Sequence, residues 1–479
     1  MTEIFKNINL NELKVILAYT GSLITFFTML VAGKYIRKHK NIYYCINILF
    51  IFSFLTTIFA KEWLTFFVAW EMVTIFTALM LLWKNKELSS QYFIIQFFGS
   101  SVLLVITLVA MVNGYSEISP INEYWLQNLF ILGLAMKSAI IGFHFWLPAV
   151  HSLAPVPVSA ILSGWVVKLG FIILLKLIPA GNHLLLFSGF LMVFWGGFKA
   201  LMATDFKVLL AYSTISHLGY IAIGIGSGTI YGYIGSILHI IVHGFAKTGL
   251  FLASGNFIKE YGSKCIYEFK NAWYRQKMTV FTIIVSFGSL MGVPFLAGFS
   301  SKYLIKYGLS KGGDIFTYIL YGASLLTLLY SLRFLYWSIF RDLLKTTVNQ
   351  IENKVSRHKL NKIEYPVLLL IIIFLLMQRI NAKIIIENLG LENFNFNMIK
   401  GIIEFSILTL IAIIFLKKIK WLKREQDSHP SLDLLFNNIN KGLYKSARFS
   451  YNLIYQNFQF QLLWIPLFLV ILFLWQFLI

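Results

Sequence analysis

Cysteine, proline and acidic side chains are all scarce in this chain. Its 479 residues include two cysteines, nine prolines and 20 aspartates and glutamates, against 41 lysines and arginines. Cys45 and Cys265 stand far apart, with no second thiol or histidine at ligand spacing. That excludes a disulfide framework, a metal site built on zinc ligands and an iron–sulfur cluster. No segment has the pattern of a nucleotide, flavin or quinone-headgroup site, so no cofactor and no catalytic chemistry are expected in the chain itself. Charge as a whole is also thin, at 13% of residues against 58% hydrophobic, a balance no soluble globular class reaches. The net charge of +21 sits in short clusters between apolar runs and forms no continuous stripe. Orientation in a lipid bilayer explains it, and a nucleic-acid partner does not.

Long apolar runs are abundant. Crossing about 30 Å of hydrocarbon at 1.5 Å per residue takes roughly 18 or more residues. Runs of that kind lie at 13–33, 42–60, 63–83, 92–113, 128–147, 157–178, 184–203, 207–226, 230–257, 279–305, 315–340, 364–381, 400–417 and 459–479. They predict an all-α, polytopic membrane protein of about fourteen transmembrane helices, since the runs are continuous and do not alternate as barrel strands would. The first run is too long for a signal-peptide core and lacks a cleavage pattern, so it reads as a spanning helix. If successive runs cross in opposite directions, the bases from Lys34 to Lys40, Lys84 and Lys86, Lys207, those from Lys259 to Lys277, and the segments 341–362 and 417–448 share one side. The positive-inside rule makes that side cytoplasmic and puts both termini outside. Between Lys418 and Phe458, Leu432, Leu435, Phe436, Ile439, Leu443 and Tyr444 recur near helical spacing. An amphipathic helix on the membrane surface and a plain linker both fit. The chain divides into N-terminal helices over 1–60, a core over 61–341, and C-terminal helices over 342–479 with the amphipathic segment near 418–458.

Several charges fall inside these runs, where each costs at least roughly 2.5–3.5 kcal/mol. Glu71 in AWEMVT, Lys137 in LAMKSA and Lys168 in WVVKLG are each central in a span. Their signs suit a buried cluster, but one carboxylate cannot neutralise two ammoniums. Burial lets a lysine give up its proton, an option closed to arginine, and none of these positions is arginine. Farther on, His239, His243 and Lys247 in LHIIVHGFAKTG recur every four residues, which sets them on one helix face about 6 Å apart along the axis. Titratable groups at that interval, with water between, permit proton hopping. His217 in STISHLGY reads more simply as an interhelical hydrogen-bonding residue.

Two helices carry breakers. After Lys137 come Pro148, Pro155 and Pro157, and just before Lys302 come Gly292, Pro294 and Gly298. Proline removes an amide donor and glycine relaxes the backbone, so both helices are expected to break there. Paired breaks in corresponding places of two halves point to an inverted-repeat transporter core.

The segments FFVAWEMVT, AMKSAIIGFHFWLPAVHSLAPVPVSAILSGWVVKLG, ATDFKVLLAYSTISHLGY, HIIVHGFAKTGLFLASG and GVPFLAGFSSK together resemble the antiporter-like subunits of respiratory complex I, Mrp-type cation/proton antiporters and membrane-bound hydrogenases. The resemblance covers roughly 66–340 and lies nearer the Mrp and hydrogenase branch. It implies two inverted five-helix repeats with broken helices and a polar axis within the membrane. It also implies conduction roles for Glu71 and Lys137 in the first half, Lys168 and His243 at the centre, and Lys247 and Lys302 in the second half. The chain departs from the pattern at Ala149, where LPAVH replaces the usual LPDAH, at Phe295, where a second proline is common, and in a shorter N-terminal bundle. No long lateral helix is expected near the C-terminus.

The expectation is therefore an ion-translocating subunit, passing protons or exchanging them for sodium, set in the cell membrane beside other membrane subunits. In a proton-pumping oxidoreductase or antiporter it would contribute conduction and no chemistry of its own. Two other readings fit the same residues: a stand-alone secondary transporter of a small solute, and the membrane subunit of a proton-driven inorganic-carbon uptake system.

Overall fold

The computed structural model describes residues 10–310, 314–341, 364–388 and 398–418. The expected amphipathic segment near 418–458 and the run 459–479 lie outside the described residues. Within them the regular structure is helical, with two isolated bridges between loops. In chain order the helices are α1 (Leu10–Ala32), α2 (Lys40–Phe59), α3 (Trp63–Leu81), α4 (Lys86–Val112), α5 (Tyr124–Ala135), α6 (Trp146–Leu153), α7 (Val156–Gly164), α8 (Leu169–Leu177), α9 (His183–Met202), α10 (Phe206–Gly226), α11 (Ile230–Tyr261), the short α12 (Ala272–Arg275), α13 (Lys277–Met291), α14 (Ala297–Ser310), α15 (Asp314–Leu335), α16 (Glu364–Asn388) and α17 (Met398–Lys418). Ten described segments are long and apolar enough to cross a membrane, and three shorter apolar helices lie at Tyr124–Ala135, Lys277–Met291 and Glu364–Leu376. The protein is thus a multi-pass membrane protein.

Loop contacts settle which helix ends lie together. The loop before α3 meets the loop before α5, where the Ile118 amide donates to the Lys61 carbonyl (2.7 Å) and Glu62 bridges Glu117. The Ile121 amide donates to Leu177 O and the Asn182 amide to Gly226 O. At this end Tyr115 donates to Glu123 (2.5 Å), which holds that carboxyl below its usual range. At the opposite end Asp205 bridges Cys265, Lys264 Nζ donates to Ser152 O, Trp83 Nε1 donates to Lys38 O, and Arg333 Nη1 donates to Ala203 O. These pairs join loops of the same crossing parity, so the alternation read from the charges is the alternation of the fold. The second end carries the basic clusters.

Polar residues stop and start the helices at these ends. Asn85, Asn182, Asp205 and Thr229 each accept a backbone amide of the first turn they precede, satisfying donors that lipid could not. Crossings α2 to α8 make one set of five and α9 to α15 another. An odd number of crossings inverts the second set relative to the first, and in each set the fourth crossing is interrupted, at α5/α6 and at α13/α14. The centre of the molecule is α7, α8 and α11, whose spans are wholly buried within the protein, whereas only 11% of the α17 span is buried. Close approach needs small residues here: a Cβ on Gly298 would fall 1.7 Å from the Ser289 carbonyl oxygen. The side chain of Lys34, one of the bases of the charge pattern, is buried. Its ammonium bonds Asn256 of α11 (2.7 Å) and pairs with Glu364 of α16 (2.7 Å), tying the first helix to the centre and to the C-terminal helices.

Candidate functional site

Both expected breaks exist, and their positions differ from where proline alone would put them. The first is the turn segment 136–145, ahead of Pro148, with Ala139 and Gly142 at positive φ. Pro148 lies in the first turn of α6 and Pro155 and Pro157 start α7, positions where the missing amide proton has no helical acceptor to lose. Lys137 therefore sits in the break itself. Its ammonium donates to the Trp70 carbonyl (2.7 Å) and stands 3.9 Å from the centre of the Trp70 ring. Glu71 is its electrostatic neighbour, yet the two do not come within ion-pair distance, and Glu71 Oε1 is buried without a hydrogen-bond partner. Around it the buried Tyr92, Gln96 and Ser100, spaced four apart along α4, also have unpartnered polar atoms, as does Ser138. At the basic end this polar face opens on a cavity of about 30 Å³ lined by Leu88, Tyr92, Trp146, Ala149 and Leu153 among others.

A third break was not legible in the sequence. The run 157–178 contains no proline after its first residue, yet α7 ends at Gly164 and a single 3-10 turn, Val166–Lys168, precedes α8. The interruption frees two carbonyls, and the Lys168 ammonium takes them both: Ser163 O at 2.5 Å and Gly164 O at 2.8 Å. This turns Lys168 away from the expected cluster with Glu71 and Lys137. Its charged neighbour is Lys247. Contact with the first group runs through Ser138, whose hydroxyl packs where a Cβ on Gly170 would lie.

The second half is joined by direct bonds. His217 of α10 shares a hydrogen bond with His239 (3.1 Å) and another with Tyr330 of α15 (3.0 Å). His239 bonds Ser301 of α14 (2.9 Å), the residue beside Lys302. The His243 ring lies 5.3 Å from the His217 ring and tilted to it, with both its nitrogens buried and unpartnered. Lys247 donates to Leu210 O (3.0 Å) and Ser213 Oγ (2.5 Å). Lys302 lies 4.5 Å from the centre of the Tyr220 ring, its ammonium buried without a hydrogen-bond partner. The electrostatic neighbours of Lys247 include Lys168, His151, His243 and His217, and those of Lys302 are His217 and His239. Lys247 accordingly stands on the Lys168 side of the histidines and not between them and Lys302. Pro294 and Phe295 form the α13/α14 break with Gly292 and Phe295 at positive φ, while Gly298 is already helical.

His217, treated as an ordinary interhelical bond in the sequence, is the hub of this half. His151, buried against Phe251 (4.6 Å) with both nitrogens unpartnered, and Lys207, buried with its ammonium on Ala154 O (2.6 Å), also join the group. His151 stands in the quoted LPAVH segment, which is the signal that could have found it; Lys207 was hidden by its place at a helix end.

The same segments carry the likeness to known proteins. Residues 60–338, more than half of the chain, match the family described as NADH:quinone oxidoreductase/Mrp antiporter, TM. Two Staphylococcus aureus proteins named "Putative antiporter subunit mnhA2" are 31% identical over 353 residues (strain MRSA252) and 30% over 352 (strain JH9), each alignment covering 64% of this chain and 44% of the relative. The chain thus spans less than half the length of these curated relatives. Among solved structures, a chain of the Mrp complex from Dietzia sp. DQ12-45-1b superposes with a TM-score of 0.72 at 22% identity, over 91% of this chain and 52% of that one. A chain of respiratory complex I from Thermus thermophilus gives 0.67 at 21%, over 83% and 85%. Fold and family match agree across the stretch from Glu71 to Lys302, and the chain belongs to the NADH:quinone oxidoreductase/Mrp antiporter transmembrane family.

Proposed function

We propose that this chain moves protons across the cell membrane as one subunit of a hetero-oligomeric complex, with sodium as the counter-ion if the complex is an exchanger. The observation that carries the reading is the row of titratable groups inside the bundle: Glu71, half-buried with its Oε1 enclosed, and the buried Lys137, Lys168, Lys247, His243, His239 and Lys302, with His217 as their junction. Ammoniums and imidazoles inside an apolar bundle are costly to place and are kept where they exchange protons or bind ions. Membrane partners are supported by the solved relatives, which come from multi-subunit complexes.

In this reading the polar face of α4 admits water and protons from the basic end to Glu71. Protonation of Glu71 removes the negative neighbour of Lys137 and changes how tightly Lys168 holds its own proton, because like charges across the Ser138–Gly170 contact repel. Lys168, Lys247 and His151 then load His243. His217 and His239 pass the proton to Lys302 by exchanging the ring nitrogens that donate and accept, as imidazoles bonded in a row can do. The test is proton flux in vesicles containing the chain with its native partners. Lys137→Ala is expected to slow flux by at least about tenfold, or 1.4 kcal/mol on the barrier; unchanged pumping in assembled complex would refute the relay.

A further inference from the structure

Beyond Lys302 the row ends at a cavity of about 60 Å³ walled by Tyr220, Lys302, Lys306, Tyr321, Ser324 and Glu404, room for a few waters. The unpartnered ammonium of Lys302 reaches one side of it. On the other side Glu404 of α17 pairs with Lys306, one turn after Lys302 on α14, and accepts a second hydrogen bond from the Tyr321 hydroxyl (2.6 Å). All three partners lie a few residues from the helix ends opposite the basic side: Lys306 near Ser310, Tyr321 near Asp314 and Glu404 near Met398. At 1.5 Å per residue that is roughly 6–10 Å from the surface. Glu404 also falls outside the matched residues 60–338, so the family pattern gives it no role.

A carboxylate on a helix whose neighbouring Ile402, Ile403 and Ile407 are exposed is costly unless it has a use or a partner. Clamping α17 to α14 and α15 would account for the ion pair. It would not account for its sharing a water-sized cavity with an ammonium that has no hydrogen-bond partner of its own. Resting on the relay reading above, we propose that Glu404 is the terminal proton acceptor of the row, with Lys306 and Tyr321 positioning its carboxylate. The Lys302 ammonium loses one proton through cavity water and becomes an amine. The Glu404 carboxylate gains that proton and becomes a carboxylic acid, leaving Lys306 without its counter-ion. Release of the proton to the outer solvent restores the pair. One proton crosses and nothing else is consumed.

The experiment compares proton flux in vesicles carrying the complete complex with Lys137→Ala, Glu404→Gln, Glu404→Asp, or the double variant Glu404→Gln/Lys306→Gln, each normalised to assembled complex. Glu404→Gln is expected to slow flux at least about tenfold, and Glu404→Asp to recover most of the loss. The double variant removes both members of the Glu404–Lys306 pair and strands neither, so it assembles even if the single variant does not, and it stays slow. Infrared difference spectra during turnover show in the parent a protonated-carboxyl band of Glu404 beside that of Glu71, and only the Glu404 band is missing in the double variant. Near-normal flux in the double variant, with Lys137→Ala impaired, overturns the role of Glu404 and leaves the relay standing. Normal flux in Lys137→Ala overturns the relay and Glu404 with it.

Discussion

The two halves of the buried row are completed by different means. From Tyr92 through Glu71 to Ser138 the side chains line up without well-formed hydrogen bonds, and polar atoms of Tyr92, Gln96, Ser100, Glu71 and Ser138 are buried without partners. From His217 to Ser301 the groups bond one another directly, at 2.9–3.1 Å. An unpaired buried polar atom costs about 1–3 kcal/mol, so the first half is stable only if water fills it. The reason lies in position. Helix α4 stands at the edge of the bundle, with 39% of its span buried, whereas α11 is enclosed throughout, and His239 on it meets His217 and Ser301 within hydrogen-bond distance while His243, one turn on, keeps both nitrogens unpartnered. One inverted architecture can thus carry a wet segment and a directly bonded one.

The contrast breaks or sharpens most at His217. Replacing it by phenylalanine removes the junction, and flux should fall by about a hundredfold, the lower end of what a positioned acid–base group contributes. It also strands the Tyr330 hydroxyl and a His239 nitrogen, so the complex should lose about 1–3 kcal/mol of stability per stranded group. Gln96→Leu makes the opposite combination. Flux should drop by roughly tenfold as an apolar side chain interrupts the water, but thermal stability should hold or rise, because two unpaired atoms are removed without stranding a partner. Equal stability changes of the same sign in the two variants would show that the halves do not differ as described.

Among the described residues the sequence carried the helical, multi-pass fold and the alternation of its crossings, though not the full count of about fourteen spans, and the charges stood out because a charge in an apolar run does so wherever it occurs. Lys137, Lys168, His243 and Lys302 needed no structure to be noticed. What could not be read were partners. The break at Trp165–Lys168 has no proline, and it exists because Lys168 caps the carbonyls it frees, a tertiary compensation that no local signal announces. His217 looked like any interhelical residue until α11 and α15 were placed beside it. Lys34 and Glu404 were hidden for the same reason: each is neutralised by a residue hundreds or tens of positions away, Glu364 and Lys306, and separation along the chain conceals such pairs. Proline was the least faithful guide, since Pro148, Pro155 and Pro157 begin helices where their missing donor is harmless.

The smallest expected effect tests the mouth of the wet half. Ala149 is exposed in the wall of the cavity beside Tyr92. An aspartate there would be solvated, so it should leave folding unchanged and act only through its field. A negative charge at a narrow opening raises the local concentration of protons and other cations, an effect that salt screens over about 8–10 Å. Ala149→Asp should therefore raise flux by about twofold at low ionic strength, less than 0.5 kcal/mol on the barrier, with the gain disappearing as salt is added. The same substitution in the Gln96→Leu background should do nothing, because the added charge feeds a path already closed downstream. A gain that survives both high salt and Gln96→Leu would mean that protons reach Glu71 by a route other than the α4 face, and the wet half would then lose its function while keeping its unpaired atoms.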